Sequence, residues 1–99
     1  MNNIKNSSID RLFDVIMNLK SEEECYNFFS DVCTVKEIQD MAQRLDTAIL
    51  LDNGVSYQNI TKEIGVSAAT IGRVSRCLNY GSGGYRNAID SMKERKEIQ

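Results

Sequence analysis

Apolar residues recur along this chain at three- and four-residue intervals and almost never alternate, so the pattern predicts helices throughout and no sheet. Residues 1–8 are polar and read as a loose N-terminus. Ile9, Leu12, Phe13, Ile16, Met17 and Leu19 make a broad apolar stripe, which predicts a first helix over about 9–19. Ser21 and Glu24 form a capping box for a second helix that presents Tyr26, Phe28, Phe29 and Val32. Thr34 and Glu37 repeat that box at the head of the longest helix, about 35–53. Its apolar positions, from Ile38 and Met41 through Ala48, Ile49 and Leu51, cover more than one stripe and predict burial on more than one side.

After Asn53-Gly54 the spacing changes character. In the segment YQNITKEIGVSAATIGRVSR, residues 57–76, Ile60 and Ile64 lie one turn apart, Val66 sits in a break, and Ile71 and Val74 lie three apart on a second helix. Ser56 caps the first of these helices, Gly65 ends it, and Ser67 is placed to cap the second, which runs over about 68–79. Two short helices around so tight a turn are the arrangement with which DNA-binding proteins present a helix to the major groove. The outward positions of the second helix are Ser67, Ala68, Ala69, Thr70, Gly72, Arg73 and Arg76, with no carboxylate among them. Small side chains permit close approach, Thr70 can touch a base edge or phosphate, and the two arginines can reach guanine or the backbone. Tyr80-Gly81-Ser82-Gly83-Gly84 is the flexible segment of the chain, and a final helix over about 85–97 carries Ala88, Ile89 and Met92, with a solvated charged tail from Lys93 to Glu97.

Composition narrows the function classes. Ninety-nine residues make a single domain with a modest core, which association would reinforce. Residues 1–55 carry five Lys/Arg against ten Asp/Glu, while residues 56–99 carry seven against four, so positive charge gathers in the half that holds the motif despite a net charge of -2. No histidine is present, and Cys25, Cys33 and Cys77 lack paired spacing, so neither a metal site nor a cofactor is expected and the thiols read as reduced, buried or half-buried packing residues. Glu22, Glu23 and Glu24 point around their helix instead of converging, and no nucleophile has a base beside it, so the chain does not read as an enzyme. It has no leader-like or membrane-spanning run, and the expected compartment is the cytoplasm. Phe13, Tyr26, Phe28 and Phe29 exceed what so short a chain covers, which favours a homodimer.

The block TVKEIQDMAQRLDTAILLDNGVSYQNITKEIGVSAATIGRVSRCL, residues 34–78, with its NYGSGGYRNAI continuation, resembles the tryptophan repressor superfamily and within it the YerC/YecD-type branch. The resemblance implies an all-α, six-helix fold containing a helix-turn-helix, with the N-terminal helices (about 9–33) wrapping a second subunit into an intertwined homodimer. It implies operator binding on double-stranded DNA through the second motif helix, and with the outward face of that helix, Ser67, Ala68, Ala69, Thr70, Arg73 and Arg76, the chain reads as a sequence-specific transcriptional regulator, a repressor. In the family's namesake an indole is held between two arginines; Arg44 and Arg73 stand at the matching positions, and Thr34 matches a residue lining the same pocket. Val74 replaces a glycine there and Cys77 a serine, so space for the indole and a polar partner are both lost, which argues against tryptophan as corepressor and leaves the effector unidentified. Arg44 has another reading, as a solvated pair with Asp40 one turn earlier, and Arg73 another, as a phosphate contact. The alternative function is a protein-interaction module that keeps the fold and docks another protein through the same helix.

Overall fold

A computed structural model describes residues 4–98 of the chain. Six helices form among them, and no strand: α1 Ser7–Met17, α2 Glu22–Val32, α3 Val35–Asp52, α4 Tyr57–Ile64, α5 Ala68–Tyr80 and α6 Gly84–Glu94. The chain divides into two compact units, residues 1–38 and 39–99, with the boundary inside α3.

In the first unit, α1 starts earlier than the stripe predicts. Of the expected loose segment 1–8, residues 1–3 lie outside the described residues, and Ser7 and Ser8 are already helical. The reason is a cap: the Asn6 side chain accepts from the Ile9 amide at 2.9 Å, and Asp10 in the first turn pairs with Lys5 at 2.9 Å. At α2, Ser21 Oγ accepts from the Glu24 amide as the box requires, but Glu24 Oε1 reaches past Ser21 to accept from the Lys20 amide. Thr34 and Glu37 close the reciprocal box at α3, at 3.1 and 2.8 Å. Neither α1 nor α2 contains a buried residue. Tyr26 is 67% exposed and Phe13 47%, whereas Phe28 and Phe29 half-cover each other in an edge-to-face pair with centroids 5.5 Å apart. Glu22, Cys25, Tyr26, Phe29 and Ile38 line a largely apolar groove of about 220 Å³.

The second unit holds the core. Ala48, Val74, Leu78 and Ile89 form one buried cluster, and Ile60, Val66 and Ile71 form another. Leu51 packs against both, so the last turn of α3 joins the packing of α5 and α6 to that of the helix-turn-helix. The two-sided burial expected of α3 is therefore realised only over its C-terminal end. Thr47 and Ala48 are its buried residues, while Met41 stays 44% exposed. Asp52, at the last position of α3, accepts from Arg86 at 2.7 Å and from Lys93 at 2.6 Å, fastening α3 to α6. A carboxylate at a helix C-terminus is unfavourable by itself, and two cations reverse that. Both hold its carboxyl below the ordinary range, the Lys93 hydrogen bond most of all, and the ion pair with Asp52 raises the pKa of Arg86. The C-terminal tail is thus not simply solvated: Lys93 is engaged, α6 ends at Glu94, and Ile98 packs against the first cluster.

The three cysteines are free thiols, but the buried or half-buried placement expected of them holds only for Cys33, which is half-buried, while Cys25 and Cys77 are exposed. No group of three metal-binding side chains occurs among the described residues, and no helix there is long and apolar enough to cross a membrane.

Candidate functional site

The helix-turn-helix is built by its caps and by two inward faces. Ser56 Oγ accepts from the Asn59 amide at 3.2 Å to start α4. Gly65 ends it at φ +90°, a left-handed backbone that costs a side-chain-bearing residue about 1–2 kcal/mol, and its amide donates to the Thr61 carbonyl. Two residues later Ser67 Oγ accepts from the Thr70 amide at 3.2 Å and starts α5. Ile60 on α4 meets Val66 in the turn and Ile71 on α5, and these three are buried together. Fully burying each such side chain is worth roughly 1.5–3 kcal/mol, which fixes the angle between the helices.

With Ile71, Val74 and Leu78 turned inward, the opposite face of α5 is set. Ala68, Ala69, Arg73 and Arg76 are exposed, and Thr70 is half-buried. No ion pair engages Arg73 or Arg76 among the described residues. Ser67 is exposed too, yet its hydroxyl is already occupied, accepting from the Thr70 amide and donating to Thr70 Oγ1 at 3.2 Å. At 100° per residue Ala69, Arg73, Arg76 and Tyr80 fall within a sector of about 60°. Tyr80, 87% exposed, therefore extends the arginine face, a placement that the flexible-segment reading of residues 80–84 missed. The arrangement offers a convex helix with two uncompensated guanidiniums, small side chains between them and a rigid base beneath.

A second feature lies against the same helix. Arg44 from α3, Thr70, Arg73, Val74 and Cys77 from α5, and Tyr85 from α6 line a cavity of about 200 Å³. Arg44 and Arg73, paired by sequence reasoning, are thus brought to one cavity. Thr34 is not among its lining residues, and its hydroxyl is engaged in capping α3. Val74 is 3% exposed and serves the core and the cavity wall at once, so the volume a glycine would leave is filled. Tyr85, which sequence reasoning treated only as a helix start, forms the opposite wall. Burial raises the pKa of its phenol, Cys77 adds to the effect, and Arg44 opposes it. Cys77 and Tyr85 also wall an adjoining cavity of about 410 Å³, completed by Gly81, Ser82 and Gly84.

Comparison with known proteins gives this geometry a family context. The family profile for the Trp repressor protein matches residues 7–93. The chain is 50% identical over 91 residues to the uncharacterized protein YerC of Bacillus subtilis (strain 168), covering 92% of this chain and 88% of that one. Among solved structures it is similar to a candidate Trp repressor from Staphylococcus aureus, with a TM-score of 0.87 and 44% identity, covering 91% of this chain and 90% of that one. It is similar also to a TrpR-like protein from Eubacterium eligens ATCC 27750, with a TM-score of 0.89 and 40% identity, covering 94% and 96%.

Proposed function

The chain belongs to the Trp repressor family, a family of regulators and not of enzymes, and on that footing we propose that it is a sequence-specific DNA-binding repressor that acts as a homodimer. The single observation that carries the reading is the outward face of α5, where Arg73 and Arg76 stand without carboxylate partners among the described residues on a helix fixed by the Ser56, Gly65 and Ser67 caps. Ala68 and Ala69 let the start of α5 approach base edges, Thr70 and Arg73 read them, and Arg76 takes a phosphate. Ser67 positions the helix through its cap and offers its free amide region to the backbone instead of a free hydroxyl.

Dimerisation is supported by the first unit. Helices α1 and α2 bury none of their residues within the chain, and Leu12, Phe13, Tyr26 and Val32 all remain exposed. A segment of that size without a core of its own requires a partner surface, and a second copy also supplies the second recognition helix that a weak half-site needs. In this reading residues 1–99 act as one DNA-binding domain. The cavity between Arg44 and Arg73 is its effector pocket, and Val74 closes it to an indole. Thr34 joins that pocket only in a dimer whose partner brings it there.

The test is direct binding of a duplex by the Arg73→Ala, Arg76→Ala double variant, followed by fluorescence anisotropy. Loss of at least about 30-fold in affinity is expected from about 1–3 kcal/mol at each arginine. Undiminished binding would overturn the assignment of α5 and favour a protein as the partner of this face.

A further inference from the structure

Tyr80 is the last residue of α5 and is 87% exposed, about twice as much as Met41 or Tyr57 in the same unit, each 44% exposed. Its direction is set by helical rotation. At about 100° per residue Tyr80 stands about 150° from the middle of the buried face formed by Ile71, Val74 and Leu78, and in angle it falls between Arg73 and Arg76. Its hydroxyl has no hydrogen-bond partner among the described residues. Asn79 beside it is folded back, its side-chain amide donating to the Ser75 carbonyl at 3.0 Å.

The chain that follows keeps the end of α5 clear. Of residues 81–84 only Ser82 carries a side chain. A Cβ on Gly81 would fall 2.4 Å from the Cys77 carbonyl oxygen, so a bare residue is needed there to lay the turn against α5. A Cβ on Gly84 would meet nothing within 4 Å, so the start of α6 is open as well. A bulky partner can therefore come up to Tyr80 without displacing protein side chains.

Position along the helix decides what that partner presents. Base edges are read by the first turns of a recognition helix, here Ala68 to Arg73. Tyr80 lies about 16 Å of helical rise beyond Ala69, past the roughly 12 Å width of a major groove. A side chain at that distance stands over the strand bordering the groove, where phosphate oxygens and sugars are the available partners. A phenol suits both, since its O–H donates to a phosphate oxygen while its ring lies against the sugar.

We propose that Tyr80 is a positioning residue for DNA: its hydroxyl donates to a phosphate at the outer flank of each half-site, beyond the phosphate held by Arg76, and fixes how far α5 slides along the groove. The proposal rests on the reading of α5 as the DNA-recognition helix and adds the contact that ends its footprint. Tyr80 is neutral, so unlike Arg76 it displaces no counterion and adds affinity without adding salt dependence. A phosphate contact carries no sequence information, so it acts on every sequence alike.

The test is a methylphosphonate scan. Duplexes carrying the palindrome selected by the full-length protein are made with one uncharged phosphate at a time. They are titrated with the parent and with Tyr80→Phe, which keeps the ring and lacks only the hydroxyl. The parent is expected to lose affinity at one flanking phosphate per half-site outside those sensitive to Arg76→Ala, and Tyr80→Phe to be insensitive there. On the unmodified duplex Tyr80→Phe weakens binding at least about tenfold, equally for preferred and altered sites, with the slope of log K against log salt unchanged. Its dimer mass and urea midpoint stay those of the parent. Identical scans for the two proteins would overturn the proposal, as would a shallower salt slope or a loss confined to some base sequences. A weakened dimer would place Tyr80 in the subunit interface and overturn it too. If the parent binds DNA and Tyr80→Phe binds as tightly, the proposal falls alone. If the parent selects and binds no duplex, the reading of α5 falls and takes the proposal with it.

Discussion

Replacing Arg76 by alanine separates a phosphate contact from a base contact. Arg76 is exposed and without an ion-pair partner among the described residues, so its full charge is available to DNA and its removal disturbs no internal bond. In a homodimer the substitution removes two charges. Each neutralised phosphate contributes about 0.9 to the slope of log K against log salt, so the slope becomes shallower by about 1.8. Between 50 and 200 mM salt the ratio of parent to variant affinity then falls about tenfold, a difference that anisotropy titrations at four salt concentrations resolve. Arg76→Lys keeps the charge and restores the slope. If Arg76 instead read a base, the slope would change little and discrimination between related sites would fall by about 1–3 kcal/mol. An unchanged slope together with unchanged affinity and unchanged discrimination would refute the placement of this face on DNA.

Three further outcomes follow from the packing. Gly65→Ala, at φ +90°, is expected to destabilise the protein by about 1–2 kcal/mol in urea unfolding, with DNA affinity lowered only as far as α5 is misplaced. Asp52→Asn is expected to lower the thermal midpoint at pH 7, because Lys93 and Arg86 favour the ionised carboxyl and depress its pKa in the folded state. That stabilisation is present above the ordinary value of 3.8 and is lost as pH falls through the lower folded value, so the parent and variant midpoints converge on acidification and a constant gap would contradict the ion-pair account. Phe13→Asp, on the exposed stripe of α1, is expected to yield monomers by light scattering, with helix content lost from α1 and α2 and kept in residues 39–99, whereas an unaltered dimer would remove α1 from the interface.

Much of this architecture was legible because the helix boundaries are written in side-chain chemistry. Ser21, Thr34, Ser56 and Ser67 each cap the helix that the spacing assigns to them, and Gly65 ends α4 where the last apolar residue precedes it. The start of α1 was misplaced because two hydroxylic residues, Ser7 and Ser8, separate its cap, Asn6, from the apolar stripe. The start of α6 carries no side-chain cap at all, yet the expected boundary lay only one residue away. Contacts distant in sequence had no local signal. Asp52 and Lys93 lie 41 residues apart, and charge counting alone assigned Lys93 to solvent. The same holds for the cavity: Arg44 and Arg73 were paired through the family resemblance, while Tyr85 and the open space at Gly84 became visible only when α6 was laid beside α5.

The central claim is that α5 reads a DNA sequence twice, once from each copy. Selection of bound fragments from a random-sequence library by the purified protein, at moderate salt and without added ligand, tests it most directly. The account predicts enrichment of a palindrome whose half-sites lie about one helical turn, 34–36 Å, apart or a multiple of it. A pool that stays random, with the protein folded and dimeric, would contradict it.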